Sequence, residues 1–379
     1  MEGLSWLRFV LNKKGQQPDI HYWDKVYEFA FNHSLLGICN PFSFEVKLPQ
    51  DLLFQWIGDV EQLKVANRQL NKQTAEVCEL FRKSGFQTCV LKGQGNALMY
   101  PDSLLRCPGD IDVWVDSGKK TLYSFVKRLY PTAKEGVKHI SFDLFSEVGI
   151  DAHYTPQKMF YPIHNKRLRQ WLEEQKKEQF GNLVRLPMTD EEIAIPTAKF
   201  NAVYQLGHIL MHLLEAGIGL RQFVDYYFVL RQCERLTEPE KNAVRGVWRK
   251  VGTSRFAAGV MWVEKEVLGL PESSIFIEPD EQFGKFIAED VLESGNFGKH
   301  SKWAPLRRKG RFIKSIVDIW RYIRLMRFMP LEATFRLIFK IKTTVRIMIK
   351  KISSKCYDVA RELWLNSSRR LLYGGIRME

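Results

Sequence analysis

The hydrophobic positions change period along the chain, and those changes mark out its elements. Up to about residue 86 they recur every three or four residues. Trp23, Val26, Phe29 and Ala30 would share one helix face, with Asp24 near the start, where an acid suits the helix dipole. A longer helix is predicted from Asp59 to Lys83, stopping before Gly85, with Val65, Leu70, Val77, Leu80 and Phe81 as its buried stripe. The period then falls to two. Thr88–Leu91 and Ile111–Val115 read as strands, and Val137–Phe145 with Glu147–Tyr154 as a strand pair turning tightly near Ser146. Lys119–Leu129 has helical spacing and stops ahead of Pro131. From Pro196 the helical period returns, over Ala198–Leu214, Leu220–Leu230 after the Gly217-Ile218-Gly219 break, Pro239–Val251, Thr253–Leu268 and Glu281–Glu293.

This pattern predicts an α+β protein: a mixed sheet flanked by helices, preceded by helices and followed by a large helical part. Four segments are expected: N-terminal helices over 1–85, an α/β domain over 86–195, a helical domain over 196–298 and a basic amphipathic helical region over 299–379. Charge sharpens the last boundary. The net charge is +14, and between Ser301 and Lys355 there are 16 Lys and Arg against two acids, Asp318 and Glu332. The remaining residues balance at 41 basic and 41 acidic, so the basicity belongs to one segment. Phe312, Trp320, Tyr322, Phe328, Phe335 and Phe339 are interleaved with it. Such a segment suits contact with an anionic membrane or a nucleic acid. The six cysteines are scattered without a C-x-x-C pair, which argues against a zinc or disulfide framework. The apolar-then-basic N-terminus reverses the order of a signal peptide, and no apolar run approaches membrane-spanning length. A cytoplasmic location is expected, with peripheral contact at the inner membrane face.

The chemistry concentrates between Thr88 and Asp116. Residues two apart on a strand point the same way, so Asp110 and Asp112 would project together while Ile111 and Val113 bury behind them. Paired carboxylates repel each other unless a cation sits between them, and Mg²⁺ is the hard ion that takes carboxylate oxygens together with substrate phosphates. The Lys92-Gly93 turn upstream would let the backbone approach those phosphates, and Arg106 would neutralise charge developing on them. The arrangement suits metal-assisted phosphoryl or nucleotidyl transfer. Asp151 and His153, again two apart, share one face of the following strand. His153 has the chemistry to orient a carboxylate, contact a phosphate, shuttle a proton or serve as a plain hydrogen-bonded strand residue. His208 and His212 lie one turn apart but lack the Glu of H-E-x-x-H, and read as a face packed toward the α/β domain. Arg221 and Asp225 stand at i and i+4, where they would pair.

In combination, Leu91-Lys92-Gly93, Tyr100-Pro101, Arg106 and Gly109-Asp110-Ile111-Asp112 resemble the bacterial uncharacterised nucleotidyltransferase family, of the polymerase-beta-like superfamily. Ile150-Asp151-Ala152-His153 and Gly217-Ile218-Gly219-Leu220-Arg221, leading to Asp225, extend the likeness over roughly residues 20 to 350. The resemblance implies a Mg²⁺-dependent transfer of a nucleoside monophosphate from an NTP, with ATP the expected donor, to an acceptor it does not identify: a small molecule, sugar, protein or RNA end. It implies Asp110, Asp112 and Asp151 as the metal ligands and catalytic residues. Lys92, Gly93, Arg106, His153 and Arg221 become the nucleotide-binding residues. One departure stands out: the wider superfamily has Gly-Ser after the first strand where this chain has Lys92-Gly93-Gln94, so Lys92 is expected to replace a lost phosphate contact. Two other functions fit the same residues: a catalytically degenerate binding protein, and a membrane- or polyanion-associated scaffold working through 301–355.

Overall fold

The computed structural model describes residues 1–13, 16–215, 218–294 and 311–345. Expectations that fall on 299–310 and 346–379, including much of the basic region, and on Gly217, lie outside the described residues.

The chain begins with α1 (Glu2–Asn12), α2 (Trp23–Asn32) and α3 (Gln50–Lys83). Trp23, Val26, Phe29 and Ala30 are buried, as their spacing requires. Helix α3 starts well before Asp59, directly after Pro49, which cannot donate a hydrogen bond within a helix. Its two halves serve different cores. Trp56 and Val60 join Trp6, Trp23 and the C-terminal helices, whereas Leu70, Val77 and Phe81 pack under the sheet. Val65, at the crossover between the two, is 57% exposed rather than buried.

Next come β1 (Thr88–Val90), the single turn α4 (Gln94–Ala97), β2 (Ile111–Val115), α5 (Lys119–Leu129), β3 (Lys134–Glu135), β4 (His139–Phe142) and β5 (Ile150–His153). The strands form one mixed sheet in the order β1-β2-β5-β4-β3. Strands β2 and β5 run parallel, with Asp112 opposite Asp151; the other neighbours are antiparallel. One face is apolar. Ile111, Val113, Val115, Ile140, Phe142, Ile150 and Ala152 bury against α3 and α5. Alternation therefore sends Asp112, Trp114, His139, Ser141, Asp151 and His153 to the opposite face. Strands β4 and β5 are shorter than the pattern predicts, and residues 143–149 join them in place of a tight turn.

The chain continues through α6 (Pro162–Gly181) and a hairpin of β6 (Leu183–Arg185) and β7 (Glu192–Ala194), elements for which the hydrophobic pattern predicts none. The helical body follows as α7 (Ala198–Glu215), α8 (Leu220–Gln232), α9 (Glu238–Lys250), α10 (Ser254–Trp262) and α11 (Glu281–Ser294). It covers the polar sheet face: Trp114 meets Phe180 of α6 and Phe200 of α7 at ring distances of 5.0 and 6.0 Å. It also holds the N-terminus, because Arg8 and Asn12 donate to the carbonyls of Glu266 and Leu268. Two further helices cover Arg311–Met326 and 330–345. The second docks through Glu332, which accepts the Phe160 and Tyr161 N–H groups ahead of α6 and contacts His164 at 3.0 Å. Among the described residues no helix is long and apolar enough to cross a membrane.

Candidate active site

The site begins where β1 ends. Leu91 extends the ladder by donating to the Asp112 carbonyl, and Gly93 then reverses the chain at φ +63°. Its ψ of −114° lies far from the small left-handed well open to other residues, so the turn needs glycine. The reversal brings Lys92 over the acids. Its Nζ lies 2.7 Å from Asp112 Oδ2 and 3.8 Å from Asp110 Oδ1.

Asp112 is buried, whereas Asp110 precedes β2 at the rim with its side chain 49% exposed. Asp151 stands beside Asp112 in register on β5, fixed by a 2.6 Å bond from Ser141 Oγ. One oxygen from each of Asp110, Asp112 and Asp151 falls within a 4.8 Å group. Burial alone would push the Asp112 carboxyl up. Lys92 and the hydrogen bond from His153 outweigh it and hold the acid well below its usual range. Burial likewise works against the Lys92 ammonium, but Asp112 and Asp110 reverse the balance and raise its pKa. The carboxylates thus already hold one cation. The donors suit Mg²⁺: three carboxylates, one at a rim open to substrate, and a displaceable ammonium as counter-charge.

His153 has a different place from the nucleotide contact implied for it. The ring is fully buried, and its Nε2 lies 2.8 Å from Asp112 Oδ1. An ionised carboxylate only accepts, so Nε2 carries the proton and His153 orients Asp112. Burial drives the imidazole pKa down against the opposing pull of Asp112, with Lys138 adding to the fall.

Arg106 also departs from expectation. Its Nε and Nη2 each donate to Asp225 at 2.8 Å, Nη1 reaches the Cys107 carbonyl at 3.3 Å, and the residue is 4% exposed. Tyr100 Oη donates to the same Asp225 at 2.8 Å. Three of its five N–H groups are taken, two of them by a buried carboxylate, so Arg106 serves first as a fastening to Asp225. Asp225 therefore pairs with Arg106 and not with Arg221 one turn away. Arg221 turns instead to the Pro108 and Cys107 carbonyls, at 3.2 and 3.4 Å, and its Nε is buried without a partner. It braces the segment entering β2 and leaves a guanidinium edge toward the cleft.

That cleft, about 80 Å³, is lined by Lys92, Gly93, Asp110 and Arg221, by the paired Arg106 and Asp225, and from α7 by Gln205, His208 and His212. The two histidines face the Lys92 turn with their Nε2 atoms 3.1 Å apart. Burial, with Lys92 adding, pushes His208 well below the usual range and His212 down to about 4, so neither adds positive charge near neutral pH. Sequence reasoning passed over Ser141, His139 and Lys138. The first two were legible, because they stand two apart on the strand beside Asp151; the third was not. Half-buried Lys138 lies in the field of Lys92, Asp112 and Asp151, and burial brings its pKa down to about 8, with Lys92 adding.

The model of the uncharacterised nucleotidyltransferase family matches residues 21–269, well over half of the chain. The chain belongs to that family. The matched span runs from α2 to just past α10 and contains every residue of the site. Among solved structures, the chain is similar to an antigenic nucleotidyltransferase-like protein from Paracoccidioides brasiliensis. The identity is 11% and the TM-score 0.30, over 56% of this chain and 95% of that one. No curated protein matches.

Proposed function

We propose that this nucleotidyltransferase family member transfers a nucleoside monophosphate from an NTP, ATP first among candidates, to an acceptor hydroxyl. One observation carries the reading: three carboxylates from adjacent strands converge on a group 4.8 Å across that already holds the Lys92 ammonium. Bound Mg²⁺ would activate the acceptor hydroxyl and neutralise charge on the departing pyrophosphate. Asp110, Asp112 and Asp151 would hold it. Lys92 would then swing from Asp112 to the triphosphate, with Gly93 admitting the phosphates close to the backbone and Arg221, beside Arg106, supplying guanidinium charge at the cleft. His153 keeps Asp112 in its ligating orientation. Asp151, steadied by Ser141, takes the acceptor's proton.

Calorimetry with each of the four NTPs tests this, with and without Mg²⁺, on wild type and Asp112→Ala. The reading expects binding that requires both the ion and Asp112, and names the nucleotide. Equal binding by the folded variant overturns the assignment.

We also propose that the segment within 301–355 rests on an anionic membrane. Ile316, Trp320 and Ile323 are about half exposed along one side of the helix Arg311–Met326, beside exposed Lys314, Arg324 and Arg327. Exposed aliphatic side chains gain from lipid and contribute nothing to phosphate contact, which favours a bilayer over a nucleic acid. Co-sedimentation with anionic vesicles, lost on Trp320→Glu and absent with neutral vesicles, is the expected result.

A further inference from the structure

The sheet face that holds Asp151 carries two histidines whose inner nitrogens have no hydrogen-bond partner. His139 and His153 are cross-strand neighbours on β4 and β5, with rings 5.1 Å apart at 69°. His139 is wedged with one side against the backbone: a Cβ at Gly136 would come within 2.7 Å of its Nε2. Its Nδ1 therefore turns to the interior, 3.6 Å from Asp151 Oδ2, too far for a hydrogen bond. Ser141 occupies the other Asp151 oxygen and so fixes which one faces the histidine. His153 donates its Nε2–H to Asp112, which leaves Nδ1 as a buried lone pair without a partner.

Two orphaned imidazole nitrogens and one free carboxylate oxygen on one patch ask for a single shared partner. Ligand atoms of His139, Asp151 and His153 all lie within 4.8 Å of one another. Two ligands on one tetrahedral ion at ~2.1 Å stand about 3.4 Å apart. The 3.6 Å from His139 Nδ1 to Asp151 Oδ2 is close to that separation. The bond from His153 to Asp112 is the carboxylate support that metal-binding histidines commonly have on their second nitrogen.

We propose that His139, His153 and Asp151 form a second cation site, selective for a nitrogen-preferring divalent metal such as Zn²⁺. Two imidazoles suit such ions, whereas Mg²⁺ prefers the all-oxygen group formed by Asp110, Asp112 and Asp151. The two sites are adjacent and share Asp151. The inference rests on the proposed transfer site only through that residue.

The test is calorimetric titration of the full chain with Zn²⁺, and separately with Mg²⁺ and ATP, on wild type, His139→Ala, His139→Gln and Asp110→Asn. Wild type binds Zn²⁺. Both His139 variants, checked for folding by circular dichroism, weaken Zn²⁺ by about 100-fold, and Asp110→Asn leaves Zn²⁺ affinity within a few-fold while weakening Mg²⁺ with ATP. Absence of Zn²⁺ binding by wild type overturns the site, as does equal binding by the His139 variants. A Zn²⁺ loss in Asp110→Asn matching that in His139→Ala also overturns it, because the ion then sits among the carboxylates. Zn²⁺ bound through His139 without any response to Mg²⁺ and ATP leaves this site standing and counts against the proposed function alone.

Discussion

Asp112 and Asp225 are both buried acids compensated by a basic side chain, yet their surroundings do opposite work. Asp225 has both oxygens closed off, although it stands at the cleft wall: a two-pronged bond from Arg106 and a hydroxyl from Tyr100 take them. Asp112 meets Lys92 through one point contact and His153 through another, and the Lys92 that compensates it lines the cleft. A guanidinium fork matched to a carboxylate is a fastening. An ammonium on a flexible stem is a counter-charge that an ion can displace. The difference teaches that a buried ion pair is a joint or a site according to the geometry of its cation.

The largest expected effect breaks the closed pair. Arg106→Met strands Asp225 and should cost ~3–5 kcal/mol in urea denaturation, with Arg106→Lys recovering only part of it. A loss below ~1 kcal/mol would refute the fastening role. At the open pair, Lys92→Met should cost less, ~1–2 kcal/mol, because Asp112 keeps His153 and its access to ions. Saturating Mg²⁺ should then stabilise Lys92→Met more than wild type, by up to ~2.7 kcal/mol at a hundredfold excess over Kd, and should leave Arg106→Met unrescued.

A third buried acid sharpens the contrast. Glu264, in the π-helical turn after α10, has among the described residues neither a counter-charge nor a hydrogen bond to its carboxylate oxygens, and burial raises its pKa well above normal. A raised carboxyl pKa means stability is greatest below the unfolded value, ~4.3, and declines as pH rises toward the folded one. Glu264→Leu should therefore stabilise by ~1–2 kcal/mol at pH 7 and much less at pH 4. Thermal denaturation at the two values decides it. The smallest effect concerns Lys138, whose pKa near 8 lies below the unfolded ~10.4. The cost of charging it is present below pH 8 and fades between there and ~10.4. Lys138→Met should gain at most ~1 kcal/mol at pH 7, discounted for partial exposure, and nothing at pH 10.5.

Strands β1, β2, β4 and β5, helix α5 and the pairing of Asp110 with Asp112 were legible because period two and a loop of glycine, lysine and proline leave local marks. Arg106 was misread for the converse reason. Its partner lies 119 positions away, and no local pattern distinguishes an arginine awaiting phosphate from one paired with a carboxylate. His153 was open to several readings until register placed Asp112 beside it. Helix α6 escaped the hydrophobic pattern because it is largely charged and buries few side chains, among them Leu168, Leu172 and Phe180.

Helix α3 has a mechanical consequence. At 34 residues it is a rod about 50 Å long, with its first half packed through Trp56 on Trp23 and Tyr27 of α2 and its second completing the hydrophobic underside of the sheet. Near its middle, Asn67 donates to the Leu104 and Arg106 carbonyls, clasping the loop that feeds the catalytic strand. Strain applied to the N-terminal helices is thereby carried through a stiff lever to the base of the Asp110–Asp112 strand. A sheet excised from 86–195 would lose that lever and the floor of its own core together.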